Sequence, residues 1–304
     1  MRIIFMGTPD FAVASLAALL QSGEEVVAVV TTPDKPAGRG QKMHESAVKK
    51  YAVKEGLPVL QPERLKSPEF ITRLRSYQAD LQVVVAFRML PEVVWNMPSL
   101  GTVNVHASLL PQYRGAAPIN HAIIQGETHT GVTTFLLQHE IDTGHVLFSQ
   151  QVEIAPRDTA GVLHDKLMVA GAEVLLKTIS ALKNNDTHPI PQTQLETAEQ
   201  KTAPKIFKQD CNIIWNKPTD QVYNQIRGLS PYPTAYTLLN GKVLKIFETE
   251  KGQPIGEAPG AYTTDGRTFL SFATQDGSLS IISLQLEGKK RMQIDEFLRG
   301  YRFE

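Results

Sequence analysis

Cysteine is almost missing from this chain. Cys211 is the only one in 304 residues, which excludes an intrachain disulfide framework and a thiolate metal cluster and agrees with a reducing compartment. A lone thiol of this kind is expected to be a packing residue. Net charge is missing too: Lys plus Arg and Asp plus Glu both number 31, so whole-chain electrostatics give no sign of a polyanionic partner. Long apolar runs are lacking. MRIIFMGTPDF breaks at Gly7 and Pro9, too short for a signal-peptide core or a membrane span, so a cytoplasmic location and no membrane contact are expected. The glycine pattern G-x-G-x-x-G is absent as well. GTPDF (7–11) holds one glycine, which predicts a tight strand-to-helix turn and no bound nucleotide.

What is present is the balance of an ordinary globular protein, 42% hydrophobic and 20% charged, enough for one large domain or two smaller ones. Through about the first 150 residues apolar runs alternate with helical patterns, the rhythm of βαβ units around a parallel sheet. RIIFM (2–6), EVVAVVT (25–31), LQVVVAF (81–87) and TVNVH (102–106) read as strands. FAVASLAALLQSG (11–23) and HESAVKKYAVKEG (44–56) read as helices, each stopped by Gly. DTAGVLHDKLMVAGAEVLLKTISALK (158–183) is amphipathic and predicts a long helix opened by an Asp158 cap.

The following stretch, NNDTHPIPQTQLETAEQKTAP, loses all periodicity and is expected to be a linker. Beyond about residue 205, LLNGKVLKIFE, TTDGRTFLSFA and TQDGSLSIISL set Asn-Gly or Asp-Gly between β-prone runs, so hairpins of a small antiparallel barrel or sandwich are expected. The expected division is 1–187, a catalytic domain; 188–205, a linker; and 206–304, a β domain. Residues 201–304 contain 14 Lys or Arg and 11 Asp or Glu, with GKKRM (288–292) concentrating the surplus in a loop. Such a surplus is read as a solvated face or, beside an enzyme domain, as a pointer to nucleic acid.

Five segments carry chemistry-bearing residues. In TVNVH the strand alternation sets Thr102, Asn104 and His106 on one face, at the carboxyl end of a parallel strand where open α/β sheets keep their sites. The alternative is a strand end that has simply reached water. SLLPQYRGAAP (108–118) leaves as an extended loop, because Pro111 and Pro118 bias their preceding residues away from helix. Its main chain and leucines suit a flat heterocycle, or it is an ordinary loop. QHEIDTGHVL (138–147) brings Asp142 and His145 around a Thr-Gly turn. Asp142 is either a plain turn residue, a carboxylate for His106, or, with His106 and His145, part of a facial metal set that no local spacing supports. TTPDKPAGRGQK (31–42) raises Lys35, Arg39 and Lys42 after the second strand, as a solvated loop or a phosphate clamp led by Arg39. RGLSPYPTAY (227–236) reads as a packed turn, with a ligand contact at Arg227 as the alternative.

With GTPDF, PDKPAGRG, NVHASLLPQYRGAAPIN, IDTG and RGLSPYP in this order and spacing, nearly the whole chain resembles the methionyl-tRNA formyltransferase family. The resemblance implies a Rossmann-like α/β domain with a mostly parallel sheet, followed by an OB-like β-barrel that helps hold tRNA. It implies 10-formyltetrahydrofolate as formyl donor, no metal, initiator methionyl-tRNA as acceptor, and a cytoplasmic, monomeric enzyme of translation initiation. Carried onto this chain, the catalytic trio falls on Asn104, His106 and Asp142, and the folate segment on Ser108, Leu109, Leu110 and Pro111. AFRML (86–90) resembles a second folate-lining loop, adding Arg88, Met89 and Leu90, although Arg88 stands where relatives often carry Gly. Arg39, Lys35 and Lys42 become the tRNA loop.

The chemistry expected of these types is attack of a neutral α-amine on the formyl carbon. Asn104 and His106 are expected to donate hydrogen bonds to the formyl oxygen, while Asp142 orients His106 and helps remove the amine proton. The rivals are a folate-dependent formyltransferase acting on a small amine such as an amino sugar, a nicotinamide-linked oxidoreductase, and a noncatalytic RNA-binding protein. The first leaves a basic β module little to do; the others are disfavoured by the single-glycine turn and by the polar face of TVNVH.

Overall fold

The apolar run RIIFMG forms β1 (Arg2–Gly7), whose residues Ile3, Ile4, Phe5 and Met6 are at most 1% exposed, as expected of a strand covered on both faces. In this computed structural model, which describes residues 1–37, 42–195 and 199–303, six further strands join it: β2 (Glu25–Val30), β3 (Val59–Leu60), β4 (Leu81–Val85), β5 (Thr102–His106), β6 (His129–Leu136) and β7 (Val146–Glu153). Their order is β7-β6-β5-β4-β1-β2-β3. β1 is parallel to β2 and to β4, β2 to β3, and β4 to β5, whereas β5 and β6 are antiparallel. The chain therefore runs outward from β1 through β2 and β3, then returns to the other side of β1. That reversal makes the carboxyl ends of β1, β4 and β5 the crevice of the sheet.

The turn GTPDF is tight, as expected. A Cβ at Gly7 would lie 2.6 Å from the Ala12 Cβ, so only glycine lets β1 pass directly into helix α1 (Asp10–Gln21). α1 buries Phe11, Ala12, Ser15, Leu16 and Leu19, one helical face. Helix α2 (Ala47–Lys54) starts later than the periodicity suggests, because Lys42–His44 pairs with Lys35–Ala37 and Ser46 caps the Lys49 N–H at 3.0 Å. Ser67 caps helix α3 (Pro68–Ser76), with Pro68 in its first turn. Helix α4 (Ala160–Lys183) corrects one expectation: its first turn is capped by Thr159, whose Oγ1 accepts from the Val162 N–H at 3.3 Å, and not by Asp158. The Asp158 carboxylate instead accepts from the Ala155 N–H at 2.8 Å. Gly171 lets α4 approach the sheet, since a Cβ there would come 3.3 Å from Val105.

Two compact units divide the chain: Met1–Gly115 with Gly131–Val152 and His164–Lys201, and Ala116–Thr130 with Glu153–Leu163 and Thr202–Glu304. The second holds an antiparallel sheet of β8 (Ala235–Leu239), β9 (Lys242–Gly252), β10 (Tyr262–Thr264), β11 (Leu270–Ala273), β12 (Ser278–Leu286) and β13 (Met292–Gln293). Its order is β8-β9-β12-β11-β10, with β13 on β12. All three Asx-Gly pairs stand between successive strands, and Asn240 and Gly241 both take positive φ, 49° and 75°, as a two-residue hairpin requires. Inside, Trp215 stacks on Phe272 at 4.7 Å and donates to the Thr237 hydroxyl. Cys211 is buried there, and burial pushes its thiol pKa up, so it packs as expected. In the RGLSPYP turn Arg227 donates to the carbonyl of Asp158 at 2.9 Å and to Asn224 at 2.8 Å, both within this unit.

Candidate active site

β5 delivers the polar face that its alternation implies. Asn104 lies between Val84 of β4 and Phe135 of β6, and His106 is opposite Thr133. Thr102, the first residue of that face, is spent on structure, its hydroxyl donating to the Trp95 carbonyl at 2.6 Å. Asn104 is half-buried, and its amide hydrogen-bonds to no described residue, so both N–H donors are available in the crevice.

His106 is buried and its Nε2 lies 3.0 Å from the Tyr113 carbonyl. A carbonyl only accepts, so this contact puts the proton on Nε2 and leaves Nδ1 of the neutral ring as an acceptor. The expectation that His106 donates to an oxyanion therefore does not describe the neutral ring. Its orientation comes from Tyr113, and among the described contacts it shares no hydrogen bond with Asp142.

Asp142 sits at φ 55° in the left-handed region, and its Oδ2 accepts from the Gly115 N–H at 3.1 Å. His106 and Asp142 are thus joined through one short arc: His106 holds Tyr113, and Gly115, two residues on, holds Asp142. Gly144 closes the Asp-Thr-Gly turn against β6, because a Cβ there would lie 1.7 Å from the Leu136 carbonyl oxygen. Ala86 (φ 46°) and Tyr113 (φ 60°) share the left-handed conformation, so three strained non-glycine residues lie in the loops around this crevice. Among the described residues no three of His, Cys, Asp or Glu are arranged to hold a metal ion.

The loop Ser108–Pro111 is built by its neighbours. The Thr133 hydroxyl donates to the Ser108 carbonyl at 2.7 Å and accepts from the Leu110 N–H at 3.1 Å. Ser108 donates to the Gln112 carbonyl at 2.6 Å, and the Gln112 N–H to the Leu109 carbonyl at 3.0 Å. Leu110 packs with Phe135 and Val146, while Leu109 stays half-buried over Gly131, where a Cβ would lie 2.5 Å away. What the loop offers a ligand is then chiefly its apolar side, since much of its main chain is already paired.

The second loop, 86–90, leaves β4 at the same end of the sheet, with Val85 in register with Val105. Met89 is exposed and Leu90 is buried in the core beside Val94. Arg88 turns away to donate to the carbonyls of Pro62 and Glu63, and burial lowers its pKa. Of the basic loop, Lys35 is exposed; Arg39 and the Lys42 side chain lie outside the described residues. The base of that loop is closed by Thr31 with Ser46 at 2.7 Å and by an Asp34–Lys49 ion pair, which lowers the Asp34 pKa and raises that of Lys49. Gln61 donates to Asp34 at 2.7 Å. Sequence reasoning missed Thr133, Gln61 and Gln192; none stands in a motif.

Two family models match the chain: formyl transferase over residues 1–179, and formyl transferase, C-terminal domain, over residues 205–302. The methionyl-tRNA formyltransferase of Bacteroides thetaiotaomicron is 55% identical over 309 residues, 99% of this chain and 96% of that protein. That of Porphyromonas gingivalis W83 is 50% identical over 313 residues, with 99% and 96% covered. Among solved structures, HypX from Aquifex aeolicus in complex with tetrahydrofolic acid superposes with a TM-score of 0.67 at 19% identity, covering 99% of this chain. This chain spans about half of HypX, 48% of its length. The sugar 3N-formyltransferase WlaRD, solved with dTDP and 5-N-formyl-THF, gives 0.68 at 20% identity, with 95% and 99% covered. At these identities the structures show a shared fold.

Proposed function

The chain belongs to the formyl transferase family, and on that premise we propose that it transfers a formyl group from 10-formyltetrahydrofolate to the α-amino group of initiator methionyl-tRNA. The product is N-formylmethionyl-tRNA for translation initiation. Near-full-length identity of 50–55% to methionyl-tRNA formyltransferases supports this acceptor over a small amine; the sugar formyltransferases are far more distant. The observation that carries the site assignment is the Asn104 amide, half-buried at a strand end and unpaired among the described residues.

The folate co-substrate supplies the formyl group. The residues present fit it: an apolar leucine wall at Ser108–Pro111 and a second loop at Arg88–Leu90 flank the strand that bears Asn104. Arg88 contributes there through its backbone, its guanidinium being held by residues 62 and 63. As the amine attacks, the Asn104 N–H groups stabilise the negative charge growing on the formyl oxygen. His106, fixed by Tyr113, takes the amine proton at Nδ1 and returns it to N10 of the folate as the formyl C–N10 bond breaks and tetrahydrofolate leaves, while the Asp142 carboxylate stabilises the positive charge that develops. Lys35, Arg39 and Lys42 contact tRNA phosphates. The functional division is 1–187, 188–205 and 206–304, the last an OB-like tRNA-binding module. No helix among the described residues is long and apolar enough to cross a membrane, and a cytoplasmic monomer is the form we assign.

The test is acceptor choice. Given 10-formyltetrahydrofolate, the chain is expected to formylate initiator methionyl-tRNA and to leave a nucleotide-linked amino sugar unmodified. Formylation of the sugar in preference to the tRNA overturns the reading.

A further inference from the structure

The aperiodic stretch after α4 carries a residue that the catalytic reading does not use. Ile190 pairs with Val146 through hydrogen bonds of 2.8 and 2.9 Å, and the chain then turns through Gln192–Gln194. Gln192 is 3% exposed. Its Nε2 donates to the carbonyls of Asp142 and Gly144, both at 2.8 Å. Its Oε1 accepts from Arg114 Nε at 2.9 Å and Nη2 at 2.6 Å. The orientation of this amide is fixed by chemistry, because the two carbonyls only accept and the guanidinium only donates. All four of its hydrogen-bonding positions are used.

We propose that Gln192 is a positioning residue for Asp142, part of a closed ring in which Arg114 aligns Gln192, Gln192 holds the backbone of the Asp-Thr-Gly turn, and Gly115 holds the Asp142 carboxylate. Arg114 and Gly115 are consecutive, so one stretch of chain sets both grips on Asp142. Asp142 adopts a positive φ that a non-glycine residue keeps only where its surroundings impose it, and Gln192 is the side chain that grips its carbonyl. Gly144 leaves the turn no slack on the β6 side. The inference rests on the catalytic role given to Asp142 above.

The test is steady-state formyl transfer by the full-length protein carrying Gln192→Glu. This change keeps the Arg114 contact and sets an acceptor oxygen against two carbonyls. A displacement of about 1 Å in a catalytic group costs up to roughly 100-fold, so kcat is expected to fall about 10- to 100-fold. KM for folate and for tRNA is expected to stay within about twofold. Gln192→Asn, which keeps an amide but falls a methylene short, is expected to act in the same direction and decides the matter if the Glu variant does not fold. Exposed Gln194→Ala, in the same turn, is the control and retains full activity. In an Asp142→Asn background Gln192→Glu is expected to add less than about a twofold loss, because a positioning residue acts through the group it positions. Unchanged kcat in both variants, a loss confined to KM, or an undiminished loss in the Asp142→Asn background overturns the proposal. A wild-type protein that does not formylate methionyl-tRNA removes the functional reading and this inference together; normal wild-type turnover with an indifferent Gln192→Glu removes this inference alone.

Discussion

Replacing Thr133 by Val keeps the shape of a fully buried side chain and deletes one oxygen. That oxygen makes two hydrogen bonds, donating to the Ser108 carbonyl at 2.7 Å and accepting from the Leu110 N–H at 3.1 Å. Each buried backbone group left unpaired costs about 1–3 kcal/mol, or about 2–6 kcal/mol for the pair. Ser108, Leu110 and Thr133 are all buried, so the full range of about 2–6 kcal/mol is the expected cost. At about 2–4 °C per kcal/mol for a unit of this size, Tm falls by roughly 4–24 °C. The effect on function is equally specific. Thr133 shapes the proposed folate wall and touches no reacting group, so KM for 10-formyltetrahydrofolate rises while kcat at saturating folate stays close to wild type. Calorimetry and a folate titration measure both. Thr133→Ser, which restores the hydroxyl, recovers most of each loss. A Thr133→Val protein with wild-type Tm and folate KM refutes the reasoning, as does one that loses kcat alone.

Gly144→Ala tests the turn from the opposite side. The added Cβ would stand 1.7 Å from a backbone oxygen, so the turn bearing Asp142 must shift by more than about 1 Å, and kcat is expected to drop on the order of 100-fold in the same transfer assay. Asp276 tests the second unit by pH. Hydrogen bonds from the Thr219 hydroxyl and N–H, both 2.7 Å, hold its carboxyl below the ordinary aspartate value. Its contribution to stability is therefore complete above about pH 4 and is lost as pH falls through the lowered folded-state pKa. Asp276→Asn is expected to lower Tm at pH 7 and to converge with wild type in acid; a difference that persists unchanged at pH 2 contradicts the assignment.

The parallel strands were legible because their apolar runs are short and bounded, and the hairpins because Asn240-Gly241 and its two Asp-Gly counterparts demand conformations few other pairs adopt. Asn104 and His106 were legible as a polar face on a β-prone strand. The reversal of strand order at β1 was not, since it depends on pairing between segments about 80 residues apart. Nor was Gln192, which lies 50 residues beyond Asp142 in a stretch without periodicity and acts through a side-chain amide that leaves no pattern. The direction of Arg88 depends on two carbonyls 25 residues upstream, and the tautomer of His106 on one seven residues downstream. At the start of α4 two adjacent capping types compete, and Thr159 occupies the position that Asp158 equally suits by type.

The most direct measurement is single-turnover transfer of labelled formyl from 10-formyltetrahydrofolate to the α-amino group of initiator methionyl-tRNA, by the wild-type protein and by Asn104→Ala. Loss of one donor to a developing oxyanion typically slows chemistry about 100- to 1000-fold, so the variant is expected to be slower by that factor with folate affinity unchanged. Label that reaches the methionyl amine equally fast in both proteins, or in neither, contradicts the account.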